Sequence, residues 1–297
     1  MNRNKIILLA LFPIFLQNTF AQDIFGQDSI ISKTLSQQWE LLPKDKKGTF
    51  KLTSYKPIYI TAGRWSSRPN RQPQSENPDY SVDAPKDFNN YEAKFQLSFK
   101  TKILESFFFG KGDLWAGFTQ IAHWQLYNTD LSRPFRELNY EPELMLNFPL
   151  DFKFLGFRAR MFGMGINHQS NGRDVPRSRS WNRLMFHFAM ERENLQIYLK
   201  PWIRMKSGED QNPMITDYVG QAEATVIFNI DRHNFYIIGT NSLSLKDNKG
   251  SVQFNYLYPL KANLRAHLQL FSGYGETLID YNHRQTTIGL GISFIDW

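Results

Sequence analysis

The sequence predicts an all-β fold, a twelve-stranded antiparallel transmembrane β-barrel, and three observations carry that reading. Apolar and polar residues alternate with period two in stretch after stretch. Many of these stretches reach about nine to eleven residues or more, enough to cross a bilayer when tilted. The 297 residues include no cysteine, so a secreted chain of this size must hold together by packing or sheet closure.

Residues 1–21 read as a signal peptide. Arg3 and Lys5 precede an apolar run from Ile6 to Leu16, and Thr19 and Ala21 supply small residues before a cleavage point. The run is too short to span a membrane as a helix. Its removal lowers the formal net charge from +7 to +5. Residues 22–90 read as an N-terminal extension on the periplasmic side, with a first strand near 56–65. The stretch "SSRPNRQPQSENPDYSVDAPKD" that follows is rich in Pro, Ser and Asn and reads as a long loop.

Residues 91–297 read as the remainder of one barrel domain. Tyr91, Ala93, Phe95, Leu97 and Phe99 alternate with Glu92, Lys94, Gln96, Ser98 and Lys100. The pattern returns around Leu195–Met205, Leu264–Leu270 and Ile288–Phe294. Strands are expected near 91–103, 112–127, 138–149, 154–170, 181–192, 194–206, 216–230, 234–245, 251–260, 262–274 and 285–296. With 56–65 that makes an even number, joined alternately by short and long loops, as in outer-membrane barrels. The chain ends on an aromatic residue, Trp297. No later apolar run approaches a membrane helix, and no Lys/Arg cluster suggests a nucleic-acid partner. The competing architecture is a soluble β-sandwich or lipocalin-like barrel with its apolar face turned inward. Strand number, the 25 Phe, 13 Tyr and 7 Trp, and the lack of disulfides favour the membrane form.

One stretch carries chemistry: "GINHQSNGRDVPRSRSWNRL", Gly165–Leu184. By parity Phe162, Met164, Ile166, His168 and Ser170 share one strand face. Asn182 opens the apolar face of the next strand, ahead of Leu184, Phe186 and Phe188. A hairpin would bring the three polar residues together at one rim of the lipid-facing surface, where idle polar groups are costly. A serine needs a base to become a nucleophile, and neutral histidine is the natural base near neutral pH. An asparagine oxygen can fix the histidine tautomer. His-x-Ser alone is a weak signal, and the face shared with Asn182 strengthens it. Arg158 and Arg160 lie on the same face at its far end, where they are expected to reach head groups.

This segment resembles the active-site segment of the outer-membrane phospholipase A family, calcium-dependent lipid hydrolases. "TQIAHWQLYN", "RPFRELNYEPEL", "DQNPMITDYVGQ" and "SGYGETLIDYNHRQT" match as well, in order, from about Tyr91 to the C-terminus. The resemblance implies a twelve-stranded barrel in the bacterial outer membrane, its active site facing lipid near the extracellular side. Ser170 would attack the acyl ester, His168 would act as general base and then acid, and Asn182 would orient His168. The Gly172 N–H and water on a bound Ca2+ would hold the oxyanion. Calcium would be held by the Arg173 carbonyl, the Ser178 hydroxyl and the Ser132 carbonyl of the partner subunit. The family acts as a homodimer on both acyl positions (A1 and A2) and on lysophospholipids.

Gln120 fits a dimer independently, as a lone amide among Leu114, Ala116, Phe118 and Trp124. The other reading of Gln120 is a bond to lipid or to its own strand. The chain departs from the family pattern at Asp174-Val175, where the aspartate usually directly precedes the proline. Asp174 and Asp210 are therefore candidate calcium ligands of a secondary kind. Two other functions remain open at this point: a non-enzymatic outer-membrane porin or scaffold, and a soluble secreted esterase.

Overall fold

The structure is a computed structural model that describes residues 33–108, 110–206 and 208–295. The expected signal peptide and Trp297 lie outside the described residues. Thirteen strands form one antiparallel sheet. They are β1 (Leu52–Ser54), β2 (Ile58–Ser66), β3 (Tyr91–Leu104), β4 (Asp113–Trp124), β5 (Glu137–Phe154), β6 (Phe157–Ser170) and β7 (Ser180–Arg192), then β8 (Leu195–Met205), β9 (Ala222–Ile230), β10 (His233–Asn241), β11 (Gly250–Lys261), β12 (Leu264–Gly273) and β13 (Gln285–Ile295). The last strand pairs with β2, so β2 to β13 close a barrel of twelve strands. The short β1 continues the edge of β3 where β2 leaves off: Ser54 pairs with Phe99, and Tyr59 with Gln96.

The twelve-stranded barrel stands as expected, with one correction. Residues 216–221 are not the start of a strand; a short helix, α2, covers Ile215–Val219 and ends at Gly220 in a positive-φ conformation. Ile215, Tyr218 and Val219 have helical spacing, and they pack on Trp181, Trp202 and Tyr281 under the loops. Burial in that second apolar cluster overrides the period-two pattern.

The direction of the alternation decides between membrane and soluble barrel. Glu92, Lys94, Gln96, Ser98 and Lys100 are buried in the lumen, while Leu97 and Leu290 are 46% and 61% exposed on the outside. A soluble barrel would reverse this. The lumen therefore holds paired charges: Arg64 and Arg136 each bond Glu92 and a carboxylate of the β12–β13 loop. At one end, four two-residue turns connect β5–β6, β7–β8, β9–β10 and β11–β12. A helix, α1 (Leu35–Trp39), enters the lumen there behind a capping box formed by Thr34 and Gln37. Trp39 packs edge-on against Tyr55 and Trp115, and the Lys100 ammonium sits 3.8 Å from its ring centre. At the other end all six connections are longer, and the β6–β7 connection, residues 171–179, is one of them.

Candidate active site

The long-loop end of the β6–β7 hairpin is where His168 and Asn182 meet. They are direct register partners, with Asn167 opposite Arg183 and Gln169 opposite Trp181 on either side. These flanking residues face the lumen and are tied across the strands. Arg183 Nε donates to Asn167 Oδ1 at 3.0 Å, and Trp181 Nε1 donates to Gln169 Oε1 at 2.7 Å. Arg183 also donates to Glu141 on β5 at 2.8 Å and stacks 4.3 Å from the centre of the Trp181 ring. A slip of one residue would break this inner zipper and turn His168 and Asn182 into the lumen. The buried polar face thus pins the register of the exposed one.

On the outer face, His168 Nδ1 lies 2.7 Å from Asn182 Oδ1. A carboxamide oxygen only accepts, so Nδ1 carries the proton and Nε2 is left with a free lone pair. His168 is exposed, and Ser170, two residues on, shares its face and is half-buried. Ser170 stands opposite Tyr140 on β5 and Ser180 on β7.

The connection that follows is folded around Asn171, a residue that the sequence marked only as a turn. Gly172 has φ +58°, and a Cβ there would lie 3.3 Å from the Tyr140 ring. Its N–H has no acceptor among the described residues. Ser178 Oγ donates to Gln211 Oε1 at 3.2 Å. Arg179 is buried and reaches four carbonyls, two in its own connection and two, at Gln74 and Tyr80, in the β2–β3 loop. That burial depresses the guanidinium below its ordinary range.

The remaining predicted positions are scattered around this centre. Asp174 is exposed, and its carbonyl accepts from Arg177 N at 2.9 Å. Asp210 is held by Arg204 at 2.5 Å. Ser132 accepts through its carbonyl from Trp124 Nε1 at 2.7 Å. Gln120 points outward from β4, half-buried, with no hydrogen bond from its side chain among the described residues. It pairs with Tyr140, which pairs with Ser170, so Gln120 is two strands from Ser170 in one row, about 10 Å away. Arg158 and Arg160 do lie at the opposite end, but they pair with Asp151 and Glu191.

No cluster of acidic and imidazole groups suited to a metal occurs among the described residues. The oxygens near Ser170 are of another kind. The Arg173 carbonyl takes no hydrogen bond among the described residues, and Ser178 Oγ keeps its lone pairs while donating its proton to Gln211. Neutral carbonyl and hydroxyl oxygens suit a hard cation such as Ca2+.

A model of the phospholipase A1 family matches residues 35–294. The chain belongs to the phospholipase A1 family. The phospholipase A1 of Klebsiella pneumoniae is 36% identical over 255 residues, covering 86% of each chain. The outer-membrane phospholipase dimer of Salmonella typhi, solved with bound calcium, superimposes with a TM-score of 0.76 at 33% identity, covering 88% of this chain and 98% of that one. An asparagine-to-alanine active-site mutant of Escherichia coli outer-membrane phospholipase A superimposes with a TM-score of 0.76 at 32% identity, covering 89% and 99%. As a phospholipase A1 family member with this barrel, the chain is an outer-membrane ester hydrolase acting on phospholipid. That removes the porin and the soluble-esterase readings.

Proposed function

We propose that hydrolysis runs through Ser170, His168 and Asn182 on the lipid-facing surface, in a calcium-dependent homodimer. The observation that carries this is the 2.7 Å bond from His168 Nδ1 to Asn182 Oδ1, with Ser170 next along the same face. An asparagine in the active site of the E. coli relative supports the role given to Asn182. Ser170 Oγ attacks the ester carbonyl carbon as its proton passes to His168 Nε2. The C–O bond to the glycerol then breaks, and Nε2 returns the proton to the leaving alcohol. Water, deprotonated by Nε2, attacks the acyl-serine; the acyl C–Oγ bond breaks as Nε2 returns the proton to Ser170 Oγ, and the fatty acid is released. The Gly172 N–H, free of any acceptor among the described residues, would hold the oxyanion.

Calcium, when bound, supplies a Lewis acid that favours negative charge on the carbonyl oxygen. The Arg173 carbonyl and Ser178 hydroxyl would hold it, with the Ser132 carbonyl of the partner subunit. Asp174 and Asp210 are the nearby carboxylates, and Asp210 is already committed to Arg204. The calcium-bound dimer of the S. typhi relative supports both parts of the proposal, and the outward Gln120, without a side-chain hydrogen bond among the described residues, supports the dimer. Long loops of outer-membrane barrels face outward from the cell, which would put the site near the extracellular side. Both acyl positions and lysophospholipids would be substrates. The test is phospholipid hydrolysis by detergent-solubilised protein with calcium, with chelator, and with Ser170→Ala. Equal rates in all three would overturn the proposal.

A further inference from the structure

Asn171 and Glu137 take no part in the chemistry above, yet they are buried and bonded to each other directly behind it. Asn171 sits between Ser170 and Gly172, turned inward and 2% exposed. Its Oδ1 accepts from Arg179 N at 2.9 Å and Arg173 N at 3.3 Å. Its Nδ2 donates to the Arg177 carbonyl at 2.8 Å and to Glu137 Oε1 at 3.1 Å. Its backbone N–H donates to the Arg179 carbonyl at 3.0 Å. One side chain therefore closes residues 171–179 into a ring and ties the ring to the barrel wall.

Glu137, the first residue of β5, is fully buried and makes no ion pair among the described residues. The neighbouring Arg136 is committed to Glu92 and Asp280. Glu137 takes its bonds from neutral N–H groups on three elements. These are Asn139 Nδ2 at 2.9 Å on β5, Asn171 Nδ2, and Ile279 N at 3.3 Å in the β12–β13 loop. A buried carboxylate bonded only by amides is an expensive anchor unless every bond is made.

We infer that Asn171 and Glu137 are positioning residues that fix the Gly172 N–H and the Arg173 carbonyl relative to Ser170. This rests on the catalytic reading above. Residues 172 and 173 have no packed core of their own, and Gly172, Asp174 and Val175 are exposed. Their backbone direction is set by the ring that Asn171 closes, with the Arg173 guanidinium as a second tether to the Phe135 and Arg136 carbonyls. Without the ring, the oxyanion donor and the calcium-binding carbonyl move together, while the outer lipid-facing surface is untouched.

The experiment uses the full-length, detergent-solubilised protein with micellar phospholipid, and reads kcat, KM and the calcium concentration for half-maximal rate. Asn171→Ala is expected to lower kcat about 100-fold, the scale of losing one oxyanion donor. It should also raise the half-saturating calcium about tenfold, the scale of a lost supporting shell, with KM unchanged. Asn171→Ser, which keeps one polar group, falls between. Glu137→Leu follows Asn171→Ala. Glu137→Gln keeps the acceptor oxygen and stays within about threefold of the parent, which separates a hydrogen-bond anchor from a charge effect. Retained mobility of the unheated barrel in gels controls for folding, and Asn171→Ser serves if a harsher variant fails to fold. Ser170→Ala runs alongside. If it is inactive while Asn171→Ala and Glu137→Leu keep parental kcat and calcium response, the positioning role is overturned and the catalytic reading stands. If Ser170→Ala is active, the catalytic reading itself falls.

Discussion

Removing the Asn182 side chain tests how much of the catalysis depends on orienting His168. In Asn182→Ala the Nδ1–H loses its 2.7 Å partner and turns to water. The bond is neutral and on an exposed surface, so its net worth is about 0.5–1.5 kcal/mol. At about 1.4 kcal/mol per factor of ten, kcat/KM should fall roughly 2- to 13-fold. A buried aspartate in the equivalent role is worth about 10⁴-fold, because it adds charge and loses no contest with water. Asn182→Asp supplies the charge. A carboxylate there favours imidazolium, so the base is protonated at higher pH and the acid limb of the rate profile moves upward. Solvent screening limits the move to about one pH unit at most. The assay is kcat/KM against pH for the three proteins at saturating calcium. Parental kcat/KM in Asn182→Ala, or an acid limb that moves downward in Asn182→Asp, would refute the orienting role.

Acidification should loosen the long-loop end. Burial alone would raise the Glu276 carboxyl, but Arg64 and Lys94 outweigh it and hold it below the ordinary range. Arg136 does the same for Asp280. Carboxyls held down in the folded state lend stability that is complete above about pH 4 and lost as pH falls through their lowered values. Hydrogen exchange in residues 274–284, corrected for intrinsic rate, should therefore rise as pH falls below about 4. Flat exchange down to pH 2 would count against it. Gly172→Ala should cut activity about tenfold or more with an intact barrel, since φ is +58° and a Cβ would crowd the Tyr140 ring at 3.3 Å. Parental activity would show that the turn is free to relax. Gln120→Leu should weaken self-association in detergent about threefold, and at most about twentyfold, by sedimentation. Unchanged association would place the dimer contact elsewhere.

The barrel was legible because each strand has a wet face and a fatty face, and that alternation survives any local noise. It was legible even as to direction, since a lumen holding Lys94, Lys100 and Glu92 leaves the aromatic face for lipid. The His168–Asn182 meeting was legible for the same reason: parity puts them on one face, and a hairpin puts them opposite. Helix α1 left a trace in its capping pair, Thr34 and Gln37, but a five-residue helix shows no periodicity. Helix α2 was misread because Ile215 and its neighbours can fill either pattern, and only the cluster they pack on decides. Glu137 was out of reach. Its partners lie 2, 34 and 142 residues away, and nothing local tells a buried acceptor from a solvated one.

A barrel with its chemistry outside faces a physical conflict, because the catalytic side chains sit at the rim between lipid and water, with no packed core around them and with water competing for their bonds. Bonds among themselves cannot hold them there, since the one between His168 and Asn182 is worth only about 1 kcal/mol. The rigidity has to come through the wall. Alternation makes this possible: every outward residue has inward neighbours on each side, and around His168 and Asn182 those neighbours are bonded to one another in the lumen. Asn167–Arg183 and Gln169–Trp181 bracket His168–Asn182, and Glu137 holds Asn171 directly behind Ser170 and Gly172. The polar lumen is then more than filler for a closed pore. It is the scaffold on which a lipid-facing active site is registered.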